Sequence, residues 1–410
     1  MNILFFSTES PFPLDHGHHL RTYHVLKALA QDHCIHFIAF TKNQEYIKYK
    51  QELEELCESV NFFPLRFQGW RQIILALQNL FSPLPLSARK YYDPQVAAHI
   101  KRLVVEVNID LVHLDLLHLA HYRKDLGSLP SILVNHNVES LRVLRWSKVE
   151  QNPLLKYFLR YQYFKLKNFE KRVCRDFDRC TVVSDYDKNV LSELCDGGNF
   201  VTIPNGVDAK YFRVSNQKIL PNTLVWTGSM SGPYNRDAVS YFLKEIWPLI
   251  QSRLPDAKVT FVGSSPSEIL KKLSLQVANI EYTGYVEDIR PFVDRAAVFI
   301  APLRCGSGTK VKVLNAMSQA KAVLTTSIGA EGIDARLGEE IMIADEPADF
   351  ADQAIYLLQN PHEAKKIGQR ARKVIEEKYD WQVINTQIRK VYQEFETQSI
   401  QENYAASENI

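Results

Sequence analysis

The sequence predicts an α/β protein of two domains, each built around a parallel β-sheet. Its 410 residues exceed what one ordinary hydrophobic core contains, which favours two domains. Residues 3–7 and 35–40 are apolar and flank a helical pattern at residues 20–30, the strand–helix–strand order of a parallel sheet. Residues 298–326 show the same order, with a glycine-containing loop before the helix. One such unit in each half of the chain predicts one sheet per domain.

The composition is that of a folded protein without an excess of charge. Hydrophobic residues make up 46% of the chain and charged residues 23%, as in ordinary globular proteins. The 49 Lys and Arg residues are balanced by 47 Asp and Glu residues, for a net charge of +2. This balance gives no support for binding to nucleic acid, because such binding requires a strongly basic surface.

The sequence predicts a cytoplasmic protein. No stretch of 18 or more apolar residues occurs, so no membrane-spanning helix is expected. The first residues, MNILFF, lack the basic start of a signal peptide and fit a first strand. The six cysteines form neither a CxxC pair nor a zinc-binding spacing, so we expect reduced thiols.

The loop of residues 304–309 is the clearest candidate binding site. Its two glycines allow a ligand to approach the backbone closely, and a helix is predicted to follow with Thr309 as its N-cap. A helix N-terminus carries roughly half a positive charge, which favours a bound phosphate or diphosphate. Lys310 and Lys312 add full positive charges within one turn. The pattern predicts an anion site.

The spacing alone leaves a second interpretation open, a tight turn between two core elements with lysines on a solvated face. The phosphate-loop motif GxxxxGKS/T is absent, and the dinucleotide fingerprint GxGxxG lacks its third glycine. An NAD-dependent oxidoreductase is disfavoured for the same reason, because the fingerprint glycines are also missing after the first strand.

Two histidines follow predicted strands of the first half. His118 comes after the strand at residues 109–115, and His136 comes after the strand at residues 131–135. Ligands bind at the carboxyl ends of strands in open α/β sheets. A lone histidine at a strand end can equally be structural, so this pattern by itself does not assign a role.

The aromatic and basic segments at residues 62–81 and 156–172 allow two interpretations. Aromatic residues interleaved with arginine on a helix could contact an anionic membrane surface from the cytoplasmic side. The alternative is a helix packed on the sheet. We favour the packed helix, because few Lys and Arg residues lie on the first of these helices itself.

Residues 298–333 are similar to the donor-binding segment of the retaining glycosyltransferases of family four, also called glycosyl transferases group 1. The matching residues are 302–304, 306, 308–310, 312, 314, 316–317 and 329–332. Other family motifs follow in chain order. They are a PxDxGG-like loop at residues 13–21, PNGVD at 204–208, TGSM at 227–230, VxFVG at 259–263 and TGxVxDIRP at 283–291.

The resemblance covers nearly the whole chain and implies the GT-B fold. In that fold two Rossmann-like, doubly wound parallel-sheet domains face each other across a cleft. We expect an acceptor-side domain at residues 1–205 and a nucleotide-sugar-binding domain at 206–378. A helix at 379–395 would cross back to the first domain, and a polar tail would occupy 396–410.

The resemblance also implies a function, the transfer of a sugar from a nucleotide diphosphate sugar to a hydroxyl of a glycan, lipid or small molecule. Such enzymes need no metal and no cofactor besides the nucleotide sugar as co-substrate. The alternative is a catalytically inactive GT-B module that binds a nucleotide or a glycan. Ser307 and Asn315 keep this alternative open, because many family members have glutamates there. A neutral amide binds a ribose diol less strongly than a carboxylate does.

The site residues implied by the resemblance fall into three groups. His136 and Lys312 are the expected catalytic residues, with His136 at the place of a family histidine that lies over the donor sugar. The expected donor-binding residues are Gly228, Ser229, Tyr285, Val286, Arg304, Ser307, Gly308, Thr309, Lys310, Lys312, Asn315 and Glu331. The acceptor-side residues are Gly17, His18 and His118. The histidines at 16, 18 and 19 lack helical i, i+4 spacing, so we predict no metal site there. The sequence does not reveal the oligomeric state.

Overall fold

The computed structural model describes residues 1–14, 17–42, 48–67, 69–230, 232–264, 268–275, 277 and 279–407. Asp15 and His16, part of the predicted glycine loop, lie outside the described residues. The chain divides into two compact units. The first comprises Met1–Ser140, Arg160–Pro204 and Ile384–Ile410, and the second comprises Leu141–Leu159 and Asn205–Val383. The grouping of residues 141–159 with the second unit differs from the division expected from sequence.

The first unit contains a parallel sheet of seven strands in the order β3-β2-β1-β4-β5-β6-β7. The strands are β1 (Asn2–Ser7), β2 (Cys34–Thr41), β3 (Ser59–Pro64), β4 (Leu111–Asp115), β5 (Ser131–Asn135), β6 (Arg179–Val182) and β7 (Phe200–Thr202). The strand order reverses between β1 and β4, where Ser7 pairs with Asp115. Ligands bind at such a reversal in open α/β sheets, because the chains leave the two strands in opposite directions and open a crevice.

The helices of the first half begin at residues that suit helix starts. Asp93 precedes a helix whose first residue is Pro94, and its side chain accepts a hydrogen bond of 2.8 Å from the Gln95 amide. The helices are α1 (Gly17–Leu29), α2 (Lys50–Glu54), α3 (Arg71–Asn79), α4 (Leu86–Tyr91), α5 (Pro94–Glu106), α6 (Glu139–Val149), α7 (Pro153–Val173) and α8 (Asp185–Cys195), with a 3-10 segment at Leu117–Asp125.

The second unit contains a parallel sheet of six strands in the order β10-β9-β8-β11-β12-β13. The strands are β8 (Thr223–Thr227), β9 (Lys258–Val262), β10 (Ile280–Tyr282), β11 (Val298–Ala301), β12 (Ala322–Thr325) and β13 (Met342–Ile343). Here the order reverses between β8 and β11. The loops that follow these two strands therefore flank the expected ligand crevice of this unit.

The remaining helices are α9 (Pro233–Tyr241), α10 (Trp247–Arg253), α11 (Glu268–Ser274), α12 (Arg290–Arg295), α13 (Val311–Ser318), α14 (Ser327–Ala330), α15 (Pro347–Gln359), α16 (Pro361–Val374) and α17 (Trp381–Ser407). Two π-helical segments, Phe242–Ile246 and Ile375–Tyr379, join α9 to α10 and extend α16. Within the described residues, no helix is both long enough and apolar enough to cross a membrane.

Both faces of the second sheet are covered by apolar side chains. Val298 and Ile300 of β11 pack into one hydrophobic cluster, while Phe299 and Ala301 pack into another. Successive side chains of a strand point to opposite faces, so the two clusters lie on the two sides of the sheet. This arrangement confirms the doubly wound parallel sheet predicted from sequence.

Two segments differ from the sequence-based expectation. The helix expected at residues 379–395 begins at Trp381 and continues to Ser407, into the expected polar tail, because that stretch contains neither proline nor glycine to end α17. Helix α3, for which packing on the sheet was favoured, buries Leu75 and Asn79 but exposes Ile73, Ile74 and Leu77. The apolar side of α3 is therefore largely open to solvent.

Candidate functional site

Asp115 is the centre of a hydrogen-bonded cluster at the strand-order reversal of the first unit. It ends β4 and is buried. Thr22 donates to Oδ2 at 2.6 Å, and Ser7 donates to the same oxygen at 3.3 Å. Nε2 of His136 lies 2.6 Å from Oδ1, and Nε2 of His18 lies 3.2 Å from Oδ2. Four donors therefore compensate the loss of water around a buried carboxylate.

The charges of this cluster follow from burial and from its hydrogen bonds. Burial lowers the pKa of His18, but hydrogen bonds to Asp115 and Glu9 outweigh it and raise the pKa to about 9. Burial acts to raise the pKa of Asp115, but His136 and His18 hold it well below its usual range. Burial also lowers the pKa of His136, and Asp115 opposes this shift.

Near neutral pH the cluster therefore contains a protonated His18, an ionised Asp115 and a neutral His136. Because an ionised carboxylate only accepts hydrogen bonds, His136 carries its proton on Nε2, which faces Asp115. Its Nδ1 is then the atom with the free lone pair. The cluster thus fixes both the orientation and the tautomer of His136.

Replacing His18 with glutamine should make the stability of the first unit less dependent on pH. The His18 proton is held more tightly in the folded chain, with a pKa of about 9 against 6.5. Its contribution is complete below pH 6.5 and is lost as pH rises to about 9. The His18 proton therefore contributes roughly 3 kcal/mol to the free energy of unfolding at low pH. Urea unfolding between pH 6 and pH 9, in steps of about one unit, measures it. Parallel curves for both proteins would contradict the assignment.

The structure brings together some of the residues predicted for the first half and not others. The rings of His18 and His136 lie 4.9 Å apart, and Gly17 is the first residue of α1. His118 instead lies in the 3-10 segment and stacks on Tyr91, with ring centroids 5.9 Å apart. Asp115 was missed by the sequence interpretation, although its place at the end of a buried strand was a usable signal.

Three side chains of the cluster carry atoms that could act as metal ligands. His18, Asp115 and His136 offer ligand atoms within 4.8 Å of one another, a set that could surround a cation. A metal ion would have to displace the proton of His18, which is held to about pH 9, so binding would weaken as pH falls. The separation of 2.6 Å between His136 and Asp115 is that of a direct hydrogen bond. The geometry therefore favours a proton-linked network.

In the second unit, Lys312 lies close to the strand-order reversal and contacts residues of β8 and α9. It lies in the first turn of α13, and its Nζ donates to Oδ1 of Asn235 at 2.9 Å. The same ammonium lies over the ring of Trp226 in β8, 3.9 Å from the centroid. Gly228, which follows β8, has φ +139°, and a Cβ there would lie 2.7 Å from Nζ. A side chain at residue 228 would collide with the ammonium, so glycine permits the close approach of Nζ to the backbone of this turn.

The surroundings of Lys312 lower the pKa of its ammonium group. Burial lowers its pKa to about 7, and the positive charge of Lys310 contributes to the shift. Lys310 itself donates from Nζ to the carbonyl of Gly308 at 2.6 Å. An anion bound beside Lys312 would reverse the shift, because it stabilises the ammonium form. The site is therefore suited to a phosphate group.

Asn235 supports the turn after β8 from the other side. Its Nδ2 donates to the carbonyl of Ser229 at 2.7 Å, while its Oδ1 accepts from Lys312. The side chain therefore fixes the position of Lys312 relative to the turn at residues 228–229. Asn235 was not among the site residues predicted from sequence.

Arg145 holds the glycine loop and was not identified from sequence. It lies in α6, and its Nη1 donates to the carbonyl of Gly306 at 2.9 Å and to Oε1 of Glu331 at 3.0 Å. Its Nη2 lies 2.7 Å from Oε2 of Glu331. The pair is largely buried, with side chains 14% and 7% exposed. Arg145 therefore ties the loop after β11 to the segment after α14.

Breaking this pair should destabilise the second unit strongly. Arg145→Met leaves the Glu331 carboxylate buried without its partner, which typically costs about 3–5 kcal/mol. Arg253 and Asp352 form a matched exposed pair, with side chains 51% and 57% exposed. For Arg253→Met we expect a loss of about 1 kcal/mol or less. Thermal and urea unfolding of both variants measure these changes in stability. Equal losses of stability in the two variants would contradict a stabilising role for the buried pair of Arg145 and Glu331.

Arg304, which was predicted to bind the donor, already interacts with two other side chains of the second unit. Its Nη2 and Nε donate to the two carboxylate oxygens of Asp237 at 2.6 and 3.2 Å. Its guanidinium also lies over the ring of Tyr241, 4.2 Å from the centroid. The charge of Arg304 is therefore already compensated within the second unit, and Lys312 is the better candidate for an incoming anion.

The helix after the glycine loop begins later than predicted. Helix α13 starts at Val311 with Lys310 as its N-cap, so the prediction of Thr309 as the N-cap is wrong. Gly308 has φ +72°, and Lys310 is still extended, which delays the first helical turn. Ser307 and Thr309 are buried, and Oγ1 of Thr309 donates to the carbonyl of Gly332 at 3.5 Å.

The remaining donor-binding predictions fall on the loop after β10 and on α13. Tyr285 is exposed, whereas Val286 is partly buried against the hydrophobic cluster that contains Phe299. Asn315 lies in α13, one turn after Lys312. The roles of these three residues in donor binding stay predictions.

Two protein-family models match consecutive parts of the chain. The model described as Glycosyltransferase Family 4 matches residues 17–211, and the model described as Glycosyl transferases group 1 matches residues 221–360. Together they cover most of both units and include Asp115, His136, Asn235 and Lys312.

Curated relatives agree with these models. The chain is 24% identical over 390 residues to an "Uncharacterized 44.6 kDa protein in cps region" of Klebsiella pneumoniae, covering 92% of this chain and 96% of that protein. It is 27% identical over 210 residues to the phosphatidyl-myo-inositol mannosyltransferase of Mycobacterium tuberculosis, covering 48% of this chain and 54% of that enzyme.

Solved structures share the fold of the chain at low sequence identity. Sucrose-phosphate synthase from Thermosynechococcus elongatus matches with a TM-score of 0.74 at 13% identity, covering 97% of this chain and 99% of that one. Anabaena HepE in complex with UDP matches with a TM-score of 0.68 at 14% identity, covering 96% of this chain and all of that one. These matches concern the fold alone.

Proposed function

Because the chain belongs to the family-four glycosyltransferases and has the GT-B fold, we propose that it transfers a sugar from a nucleoside diphosphate sugar to a hydroxyl group. We further propose that the anomeric configuration is retained and that the sugar is a hexose. The observation that carries the proposal is the position of Lys312 beside Gly228, which directly follows β8 at the strand-order reversal. HepE, which has a similar fold, is solved with UDP.

The proposed donor site stabilises the charge that leaves with the diphosphate. As the bond to the sugar breaks, negative charge grows on the diphosphate oxygens. A preorganised cation and helix-end amides stabilise that charge more than they stabilise the ground state. Lys312 supplies the cation, and the first turn of α13 supplies amides. Gly228 has no side chain that would collide with Nζ, so the backbone of the turn after β8 can approach a phosphate bound there.

The other donor residues have supporting roles in this proposal. Arg145 holds the loop that contains Gly306, so that the backbone around Ser307 and Gly308 keeps one conformation. Tyr285 and Val286 would border the base, Asn315 would contact the ribose, and Arg304, Thr309, Lys310 and Glu331 would complete the surroundings of the diphosphate and the sugar. These roles follow the family resemblance.

His136 is the proposed catalytic residue of the first unit. With Nε2–H directed at Asp115, its Nδ1 can accept a hydrogen bond from a hydroxyl of the reacting sugar. Asp115 acts as a positioning residue, because it holds the ring and its tautomer without touching the substrate itself. His18, Gly17 and His118 are proposed for the acceptor side.

The acceptor is proposed to be a hydroxyl of a glycan, a lipid or a small molecule. Relatives named phosphatidyl-myo-inositol mannosyltransferase support a lipid among these classes. The chain would be incubated with a panel of nucleotide sugars and an acceptor extract, and released nucleoside diphosphate would be measured. Release that depends on the extract supports the transferase. Tight nucleotide binding without release would identify the chain as a binding module instead.

We also expect the reaction to proceed without a metal ion, since Lys312 and the helix end supply the positive charge. Treatment with EDTA should leave the rate of nucleoside diphosphate release unchanged. A rate that falls with EDTA and returns with a divalent cation would contradict this. His18→Gln would then show whether the Asp115 cluster holds the cation, because the variant would need a higher cation concentration.

A further inference from the structure

An exposed apolar face lies on α3 and the residues beside it. Trp70 is 67% exposed, Ile73 is 65%, Leu77 is 60% and Phe81 is 92% exposed. In α3 itself, Leu75 is the apolar side chain that is fully buried. Single exposed apolar residues are common, but a cluster of this size on one element indicates a surface with a partner.

Helix α7 extends this face. The hydroxyl of Tyr161 donates to the carbonyl of Leu80 at 2.6 Å, and Nε2 of Gln162 donates to Oδ1 of Asn79 at 2.8 Å. These bonds hold α7 against the end of α3, and the neighbouring Phe164 is 62% exposed. The apolar face is defined here as Trp70, Ile73, Leu77, Phe81, Tyr161 and Phe164.

Within the two chain segments that carry the apolar face, residues 59–92 and 151–169, every charged side chain is basic. No acidic residue occurs between Glu58 and Asp93, and none occurs between Glu150 and Glu170. Glu170 is fully buried, so it adds no charge to the surface. The exposed cations of these segments include Arg71, Arg160 and Lys167, whereas the exposed Arg66 is paired with Asp93. The guanidinium of Arg71 lies over the Trp70 ring, 6.0 Å from its centroid.

We propose that the apolar face docks on the surface of an anionic lipid bilayer. Exposed aromatic and aliphatic side chains enter the boundary between headgroups and acyl chains, where tryptophan is especially favoured. The surrounding cations meet negatively charged headgroups, which supply the charge complementarity that a neutral surface lacks. The face lies outside the residues assigned to sugar transfer, so the inference holds for any acceptor.

The first test is sedimentation with lipid vesicles. Vesicles of equimolar phosphatidylcholine and phosphatidylglycerol should bind the chain, and vesicles of phosphatidylcholine alone should bind it weakly. Each basic residue at a membrane surface contributes about fivefold to binding. Arg160→Glu combined with Lys167→Glu should therefore weaken binding roughly twentyfold or more. Higher salt should act in the same direction.

The second test concerns the apolar side chains. Leu77→Gln combined with Phe81→Gln should weaken vesicle binding by roughly tenfold or more, because the buried apolar area is lost. Val105→Gln and Arg102→Glu are matched controls on α5, where both side chains are exposed, and they should bind as the parent chain does. All variants should keep their melting temperature and their affinity for nucleoside diphosphates.

Trp70 provides a direct signal of insertion. Its fluorescence should shift to shorter wavelength with the mixed vesicles, and Trp70→Phe should abolish that shift. Equal binding to both kinds of vesicle, or unchanged binding of the two double variants, would overturn the proposal. A dimer that dissociates in Leu77→Gln/Phe81→Gln, without vesicle binding, would assign the face to a second copy of the chain and would also overturn it.

Discussion

Asp115→Asn is expected to lower the rate of sugar transfer by about a hundredfold or more, the range associated with a lost acid–base or orienting group. An asparagine can donate as well as accept hydrogen bonds, so it no longer selects the His136 tautomer with its proton on Nε2. It also removes the negative charge that keeps His18 protonated. Steady-state kinetics should show this loss in kcat, with nucleotide affinity nearly unchanged.

The control for this experiment is Asp187→Asn. Asp187 is also buried in the first unit, where it bonds to the Ser184 hydroxyl at 2.6 Å at the start of α8. Its replacement should lower stability without lowering kcat of the folded fraction. If Asp115→Asn lost activity only in proportion to its loss of folded protein, as the control does, Asp115 would have a structural role alone.

Lys312→Met should weaken the binding of nucleoside diphosphates by roughly ten- to a hundredfold. A hydrogen bond to a charged group contributes about 1.5–3 kcal/mol, and methionine keeps most of the volume but no charge. Isothermal titration calorimetry measures the change. Lys366→Met is a matched control in α16, where the lysine is exposed and bonds to Glu363. Equal affinity of Lys312→Met and the parent chain would remove Lys312 from the donor site.

The same residue should make nucleotide binding depend on pH. In the free chain the pKa of Lys312 is about 7, and a bound diphosphate would raise it. Binding above pH 7 then takes up a proton, and affinity should fall by about tenfold for each pH unit above 7. Calorimetry in buffers of different ionisation enthalpy would detect the proton, and Lys312→Met should abolish its uptake.

The features predicted correctly from sequence are those encoded locally. Apolar runs of four to six residues, separated by helical patterns, specified the principal parallel strands of both units, such as β1 and β11. The glycines at 306 and 308 and the lysines at 310 and 312 follow β11 directly, so strand, loop and helix could be placed together. The short strands β7 and β13, with three and two residues, were missed because they carry little pattern.

The contacts that organise the candidate site could not be predicted in this way, because they join distant parts of the chain. Asp115 meets His18 across 97 residues, and Arg145 meets Gly306 across 161 residues. These contacts form only because of the order of the strands in each sheet and the packing of α6. The sequence does show a carboxylate or a guanidinium between apolar residues, which indicates that the group is buried. It does not show which distant residue that group contacts.

The most direct test of the central claim is a crystal structure of the chain with a mixture of nucleoside diphosphates. We predict density for the diphosphate beside the Lys312 ammonium, near Gly228 and next to the first turn of α13. Density for the nucleotide in another part of the chain, with no phosphate within hydrogen-bond distance of the Lys312 ammonium, would contradict the proposed donor site.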